Sequence, residues 1–208
     1  MAGGGVILTL DGPASSGKST LARAVAGRLG WAVLDSGLCY RLAGHLDGPL
    51  PPDASFETHL ARCGLRFDGT SVWEGERDLT PLLRTEEADA SSSLVAQDPT
   101  VRDILKPFFR RFAETIPLPG LVAEGRDMGT VVFPEAPKKI YLTADESVRM
   151  ARRERERGVP DPHLSVRDRE DAGRAIDPLR PADGAYLLDT TRLGIDEATQ
   201  AVLDFLDE

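Results

Sequence analysis

The sequence holds little cysteine, little lysine and no long apolar run, and each shortage excludes something. Two cysteines, Cys39 and Cys63, stand in 208 residues. They fit no metal-ligand spacing and form no disulfide framework, so both are expected to be free thiols with packing roles. No apolar stretch approaches the roughly 18 residues of a membrane span, so no membrane partner is expected. The opening MAGGGVILTLDG has neither a basic stretch nor a cleavage site. It reads as a first strand rather than a signal peptide, and a cytoplasmic location follows as the expectation. Basic residues are outnumbered, with 25 Lys and Arg against 34 Asp and Glu, for a net charge of −9. That balance argues against a nucleic-acid binder, and leaves a small anionic substrate open because only the local field matters there. Of the basic residues 21 are Arg and 4 are Lys. Arginine grips phosphates and carboxylates bidentately, and genome composition produces the same bias.

What remains is an ordinary globular balance, 41% apolar and 28% charged. Short apolar runs alternate with helical patterns. VILTL reads as a buried strand, and GKSTLARAVAGRLG as a helix with Leu21, Val25 and Leu29 on one face and Gly30 as its C-cap. WAVLD, GLVAEG, KKIYLTA and AYLLDTT read as further strands. The alternation predicts an α/β fold, a three-layer arrangement on a parallel five-stranded core sheet. Between Arg41 and Arg84 the texture changes. LRFDGTSVWEGERDLT reads as a small hairpin turning at Asp68-Gly69, an insert within the α/β pattern. Asp98 caps a helix with Pro99 in its first turn, and Pro107 is expected to kink or break it. DESVRMARRERERG is a basic helix ending at Gly158, VRDREDAGRAID another charged helix, and GIDEATQAVLDFLDE a terminal amphipathic one.

The first chemical signal is GPASSGKST, which matches G-x-x-x-x-G-K-[ST] between a strand and a helix. Gly12, Pro13, Ala14, Ser15, Ser16 and Gly17 would curl backbone N–H groups around a phosphate. Lys18 would reach the terminal phosphates, the Ser19 hydroxyl would ligate Mg²⁺, and Thr20 completes the motif. The chain is thus expected to bind a nucleoside triphosphate. Three classes remain: a small-molecule kinase, a GTPase switch and an ATP-driven motor. The guanine-reading N-K-x-D and the switch D-x-x-G do not occur in the sequence. Size, charge and the inserts favour a kinase, with a nucleotide-regulated binding protein that does no turnover as the reading from another class.

A kinase also needs cations for its acceptor. DSGLCYR places Asp35, Ser36, Tyr40 and Arg41 past the second strand, where a parallel sheet carries its sites, and it would also suit a structural turn. GRDMGT places Arg126 and Asp127 at the end of another strand. VRDREDAGR carries Arg167, Asp171 and Arg174, with the two arginines seven apart on one helical face. In the basic helix Arg149, Arg153 and Arg157 are four apart and share a face, suited to adenine or to ATP phosphates or to plain ion pairs with Glu154 and Glu156.

Taken together, GPASSGKST, VLDSGLCYR, EGRDMGTVVFP, the RD..D..R helix and the PL..A.GA that follows it resemble bacterial cytidylate kinases over nearly the whole chain. The GRDMGTVVFP stretch is the specific part. The resemblance implies transfer of a phosphoryl group from Mg-ATP to CMP or dCMP, with UMP as the alternative acceptor, and a monomer is expected. It implies a core of residues 1–41, 101–150 and 172–208, a monophosphate-binding region at 42–100 with a β insert near 64–80, and a short helical lid at 151–171. By motif position Arg41, Arg126 and Arg174 hold the acceptor phosphate. Ser93, Arg102 and Asp127 read the cytosine edge, Ser36 sits by phosphate and base, and Arg167 and Asp171 touch the sugar. Lys18, Arg126, Arg167 and Arg174 would carry the catalysis, with Arg153 and Arg157 on ATP. Here the chain departs from the pattern in a shorter lid and in Cys39, where an aliphatic residue is usual.

Overall fold

The structure is a computed structural model that describes all residues except 1–4, 47–49, 52, 117–118, 162–163, 165, 167, 170–172, 174–176 and 208. The chain forms two compact units, Met1–Val33 with Pro117–Glu208, and Leu34–Ile116.

The first unit is built on the expected parallel sheet. β1 (Val6–Asp11), β2 (Ala32–Asp35, whose last two residues belong to the second unit), β6 (Gly120–Gly125), β7 (Lys138–Thr143) and β8 (Tyr186–Asp189) lie in the order β2-β6-β1-β7-β8. β1 pairs in parallel with both β6 and β7, and β7 with β8. β1 is central and buried from Leu8 onward, which is why it reads as an apolar run broken only by Thr9. Leu8 and Leu10 pack with Val122, Ile140, Leu142 and Leu188 from the neighbouring strands. The same cluster takes Leu21, Ala22, Val25 and Ala26 from α1 (Lys18–Leu29), and Ala198 and Val202 from α7 (Ile195–Asp207). Each such fully buried Leu or Val contributes about 1.5–3 kcal/mol. Gly30, at φ 66°, closes α1 in the left-handed conformation, its N–H donating to the Ala26 carbonyl.

β6 starts at a glycine for a packing reason. A Cβ added at Gly120 would lie 2.3 Å from Cδ2 of the Trp31 ring. Gly120→Ala is therefore expected to cost about 1–3 kcal/mol, a Tm lower by about 2–10 °C in thermal denaturation. An unchanged Tm would show that the Trp31 ring yields without strain.

The second unit carries the insert. It holds α2 (Ser36–His45), α3 (Phe56–Arg62), α4 (Glu86–Val95) and α5 (Pro99–Thr115) with a small antiparallel sheet of β3 (Leu65–Phe67), β4 (Val72–Glu74) and β5 (Arg77–Asp78). The expected turn is there: Asp68 Oδ1 accepts from the N–H groups of Thr70 and Ser71, and Gly69 sits at φ 106°. The expected hairpin gains a third, two-residue strand, too short to show any alternation. α5 starts as expected, with Asp98 accepting from Thr100 N–H and Pro99 at the first turn. It does not end at Pro107. Val101, Ile104, Leu105, Phe108 and Phe109 bury one face of it, and Phe108 alone meets the rings of Phe56, Phe67, Phe109 and Phe112. That burial outweighs the roughly 3 kcal/mol of an interior proline.

Both cysteines are free thiols. Cys39 is a core residue, and burial, with Asp35 adding to it, pushes its thiol well above the usual range. Cys63 is exposed and has no packing role, because it lies just past the end of α3 rather than on its inner face.

Candidate functional site

In the first unit the site grows out of the junction of β1 and α1. Gly12 follows β1 at φ 150°, and a Cβ there would lie 2.4 Å from the Leu142 carbonyl oxygen of β7. Ser15 takes a left-handed φ of 57°, an uncommon state for a residue other than glycine, so the loop is held curled. Pro13 and Ser16 shape the bend, with Ser16 N–H donating to the Pro13 carbonyl at 3.4 Å, and Ser16 is fully buried. Gly17 is the N-cap of α1, at φ 99°, and has no side chain to offer the helix amides. The amides at this end therefore face an anion-binding position with the helix dipole behind them.

Lys18 starts α1. Its ammonium donates to the Pro13 carbonyl at 2.7 Å and to Ser16 Oγ at 3.5 Å. Burial pulls its pKa down to about 8, with Arg126 pushing the same way against Glu124, Asp11 and Asp168. Ser19, part-exposed, and Thr20, exposed, follow in the first turn of the helix.

Around this loop the unit gathers cations. Ala14 N–H donates to Asp168 Oδ1 at 2.9 Å, and Arg126 Nη1 lies 3.3 Å from the same oxygen. Arg149 Nη1 donates to Asp168 Oδ2 and, at 3.1 Å, to the Ala14 carbonyl. One carboxylate thus sits on a loop amide and two guanidiniums at once. Arg152 Nη1 donates to the Ser16 carbonyl at 3.3 Å and to Thr190 Oγ1 at 3.0 Å, tying α6 (Glu146–Arg157) to the loop. Arg153 and Arg157 lie elsewhere on α6. Both reach the buried Asp161 carboxylate, at 3.3 and 3.4 Å, and Arg153 also pairs with Glu156.

Arg126 and Asp127 follow the end of β6, where the chain turns into a π-helical turn over Met128–Val132. Asp127 is buried. Arg167, Asp171 and Arg174 lie outside the described residues.

In the second unit Asp35 caps α2: its Oδ1 accepts from Leu38 N–H at 3.0 Å and its Oδ2 from Arg84 Nη2 at 3.0 Å. Ser36, buried, opens that helix, and Arg41 one turn on is held by the buried Asp89 through Nε at 2.8 Å. Arg102, 3% exposed, donates from Nη1 to the Ala96 carbonyl at 3.3 Å and lies 5.9 Å from the Tyr40 ring centre. Ser93 sits part-buried on α4, its carbonyl accepting from Gln97 Nε2.

Hard oxygen donors fit Mg²⁺. The Ser19 hydroxyl lies in the first turn of α1, and the Glu124 carboxylate acts on Lys18 nearby. Among the described residues no three His, Cys, Asp or Glu side chains group to hold a metal. Mg²⁺ suits such a setting, since it binds through one or two protein oxygens together with substrate phosphates.

Sequence reasoning passed over Asp11, Glu124, Arg152 and Asp168. Asp11 stands directly before the motif's first glycine and Glu124 directly before Gly125-Arg126. Arg152 is three residues from Arg149, a spacing that shares a helical face as well as four does.

The parallel sheet, the curled loop and its lysine define a P-loop nucleotide-binding protein. A family model for cytidylate kinases matches residues 8–208. The chain belongs to the cytidylate kinase family. It is 41% identical to a cytidylate kinase of Bordetella bronchiseptica over 217 aligned positions, covering 98% of this chain and 96% of that one. A cytidylate kinase of Pseudomonas savastanoi pv. phaseolicola is 39% identical, with 95% and 93% covered. Among solved structures, a shikimate kinase from Bacteroides thetaiotaomicron superposes with a TM-score of 0.50 at 15% identity, covering 98% of this chain and 99% of that one. A sugar kinase from Janibacter superposes at 0.51 with 16% identity, covering 98% and 95%. At such identities these two share the fold.

Proposed function

We propose that the protein transfers the γ-phosphoryl group of Mg-ATP to CMP or dCMP. An oxygen of the acceptor phosphate forms the new bond to phosphorus, the bond to the β-phosphate oxygen breaks, and CDP or dCDP and ADP leave. The observation that carries this reading is the Asp168 carboxylate, an anion seated on the Ala14 amide, Arg126 and Arg149 together. Groups that hold one anion beside a P-loop are suited to the spread charge of a transferring phosphoryl group.

Lys18 and the loop amides bind and orient the ATP phosphates. Ser19 would hold Mg²⁺, which when bound neutralises charge on those phosphates. Arg41, Arg126 and Arg174 hold the acceptor phosphate, and Ser36, Ser93 and Arg102 its base side. Arg167 and Asp171 meet the sugar, and Arg153 and Arg157 the ATP side, which requires them to leave Asp161. Asp127 accepts from the cytosine N4 amino group. Uracil turns a carbonyl toward the same carboxylate. A missed buried hydrogen bond to a charge costs roughly 1.5–3 kcal/mol, so CMP is preferred over UMP by about tenfold to a few-hundredfold. The chemistry needs no phosphoenzyme.

Residues 42–100 serve as the monophosphate-binding region and 151–171 as the lid. Among the described residues no helix is long and apolar enough to cross a membrane. A cytoplasmic monomer, with neither nucleic acid nor membrane as partner, fits the acidic chain.

ADP release from Mg-ATP with CMP, dCMP, UMP, AMP, GMP or no acceptor tests the reading. Turnover is expected mainly with CMP and dCMP. Turnover mainly with UMP or AMP would keep the kinase and remove the base assignment. No turnover with any would leave a nucleotide-binding protein.

A further inference from the structure

Asp11 is the last residue of β1, is 2% exposed, and immediately precedes Gly12. It lies opposite Gly125 of β6 and Tyr141 of β7. Its two carboxylate oxygens take two consecutive amides: Oδ1 accepts from Met128 N–H at 2.8 Å and Oδ2 from Gly129 N–H at 2.7 Å. Those amides directly follow Arg126 and Asp127. A carboxylate gripping successive N–H groups fixes two peptide planes at once, and so the backbone that aims the two preceding side chains. Asp127 has φ −146° and ψ 22°, a conformation of neither strand nor helix, which needs holding.

The grip is close on both sides. A Cβ at Gly129 would meet Thr9 Oγ1 at 2.7 Å and Asp11 Oδ2 at 3.2 Å. It is also expensive for folding. Burial above all raises the Asp11 pKa, to about 7, with Asp127 adding to it, while the two amides and Lys18 pull the other way. A neutral side chain of the same shape would spare the fold that desolvation. A buried carboxylate placed against that burial and spent wholly on two backbone amides of the acceptor turn points to work done on the turn.

We propose that Asp11 is a positioning residue for the acceptor: its grip on the Met128 and Gly129 amides sets the direction of Arg126 and Asp127, and through them the choice of cytosine over uracil. This rests on the reading of Arg126 and Asp127 as acceptor residues. The same carboxylate joins the residue before the phosphate loop to the acceptor turn, so one group holds donor and acceptor machinery in register.

Asp11→Asn tests it. The amide keeps the shape and one acceptor, but points an NH₂ at a backbone N–H, donor against donor. KM for CMP is expected to rise about tenfold and the CMP-to-UMP ratio of kcat/KM to fall about tenfold, with KM for ATP within about threefold. Tm is expected to stay level or rise. The selectivity ratio does not depend on how much protein is folded, so a merely structural role would leave it alone. Asp127→Asn is run beside it. If Asp127→Asn collapses the ratio and Asp11→Asn does not, the positioning role is overturned and the acceptor reading stands. If Asp127→Asn leaves the ratio intact, the acceptor reading falls and this inference with it. Should Asp11→Asn not fold, Gly129→Ala pushes on the grip from its other side. The same fall in ratio is expected there, and an unchanged ratio overturns the role.

Discussion

Lys18→Met should lower kcat by about 10²–10³-fold or more, while the folded protein becomes no less stable. The rate argument is electrostatic. Removing one preorganised donor from a developing phosphoryl charge costs about that much, and Lys18 is the donor that opens α1 inside the loop. The stability argument runs the other way. Burial pulls the Lys18 pKa from 10.5 to about 8, so the fold resists its charge. At neutral pH the unfolded chain and the folded one both carry the proton, and the folded one bears the desolvation. Methionine keeps the stem and removes the charge. The variant's gain in Tm should therefore be largest near neutral pH. It should shrink as the pH rises from about 8 toward 10.5, where the folded lysine releases its proton before the unfolded one and wild-type stability recovers. Steady-state ADP release and calorimetry across that range measure both. Activity near wild type would remove Lys18 from the mechanism, and a Tm falling at all pH values would show that its bond to the Pro13 carbonyl matters more than its buried charge.

Arg126→Ala should lose turnover by about 10³-fold while still binding ADP within about threefold of wild type. Arg126 shares Asp168 with the Ala14 amide and Arg149, so its loss leaves that amide and Arg149 on the carboxylate. None of the residues from Gly12 to Thr20 is altered, and triphosphate binding should persist. Arg126 also helps to depress the Lys18 pKa, so the variant's lysine should titrate at higher pH. Kinetics with CMP varied, with ADP binding by calorimetry, separates the two halves of the expectation. Turnover within about twofold of wild type would mean that the acceptor phosphate is held elsewhere. Loss of ADP binding along with turnover would place Arg126 on the donor side instead.

The local pieces of this protein are legible in its amino-acid order. A strand, a glycine turn and a helix are contiguous, so GPASSGKST names its own chemistry within nine residues. The buried strands show as short apolar runs because both faces of a parallel sheet are covered. Asp98 with Pro99, Gly30 and Gly158 mark helix ends because capping acts over one turn. Tertiary structure decided what local periodicity cannot carry. The order β2-β6-β1-β7-β8 sets β6 beside β1, and only this brings Asp11 onto amides 117 and 118 residues away. It brings Asp168 onto an amide 154 residues away. It also sorted the arginines of α6. A helix pattern shows which residues share a face, but not that a buried Asp161 waits for Arg153 and Arg157 while the loop carbonyls take Arg149 and Arg152. Partners for buried charges are chosen by what the fold brings near, since a charge taken out of water needs whichever opposite charge or carbonyl lies within reach, however distant along the chain.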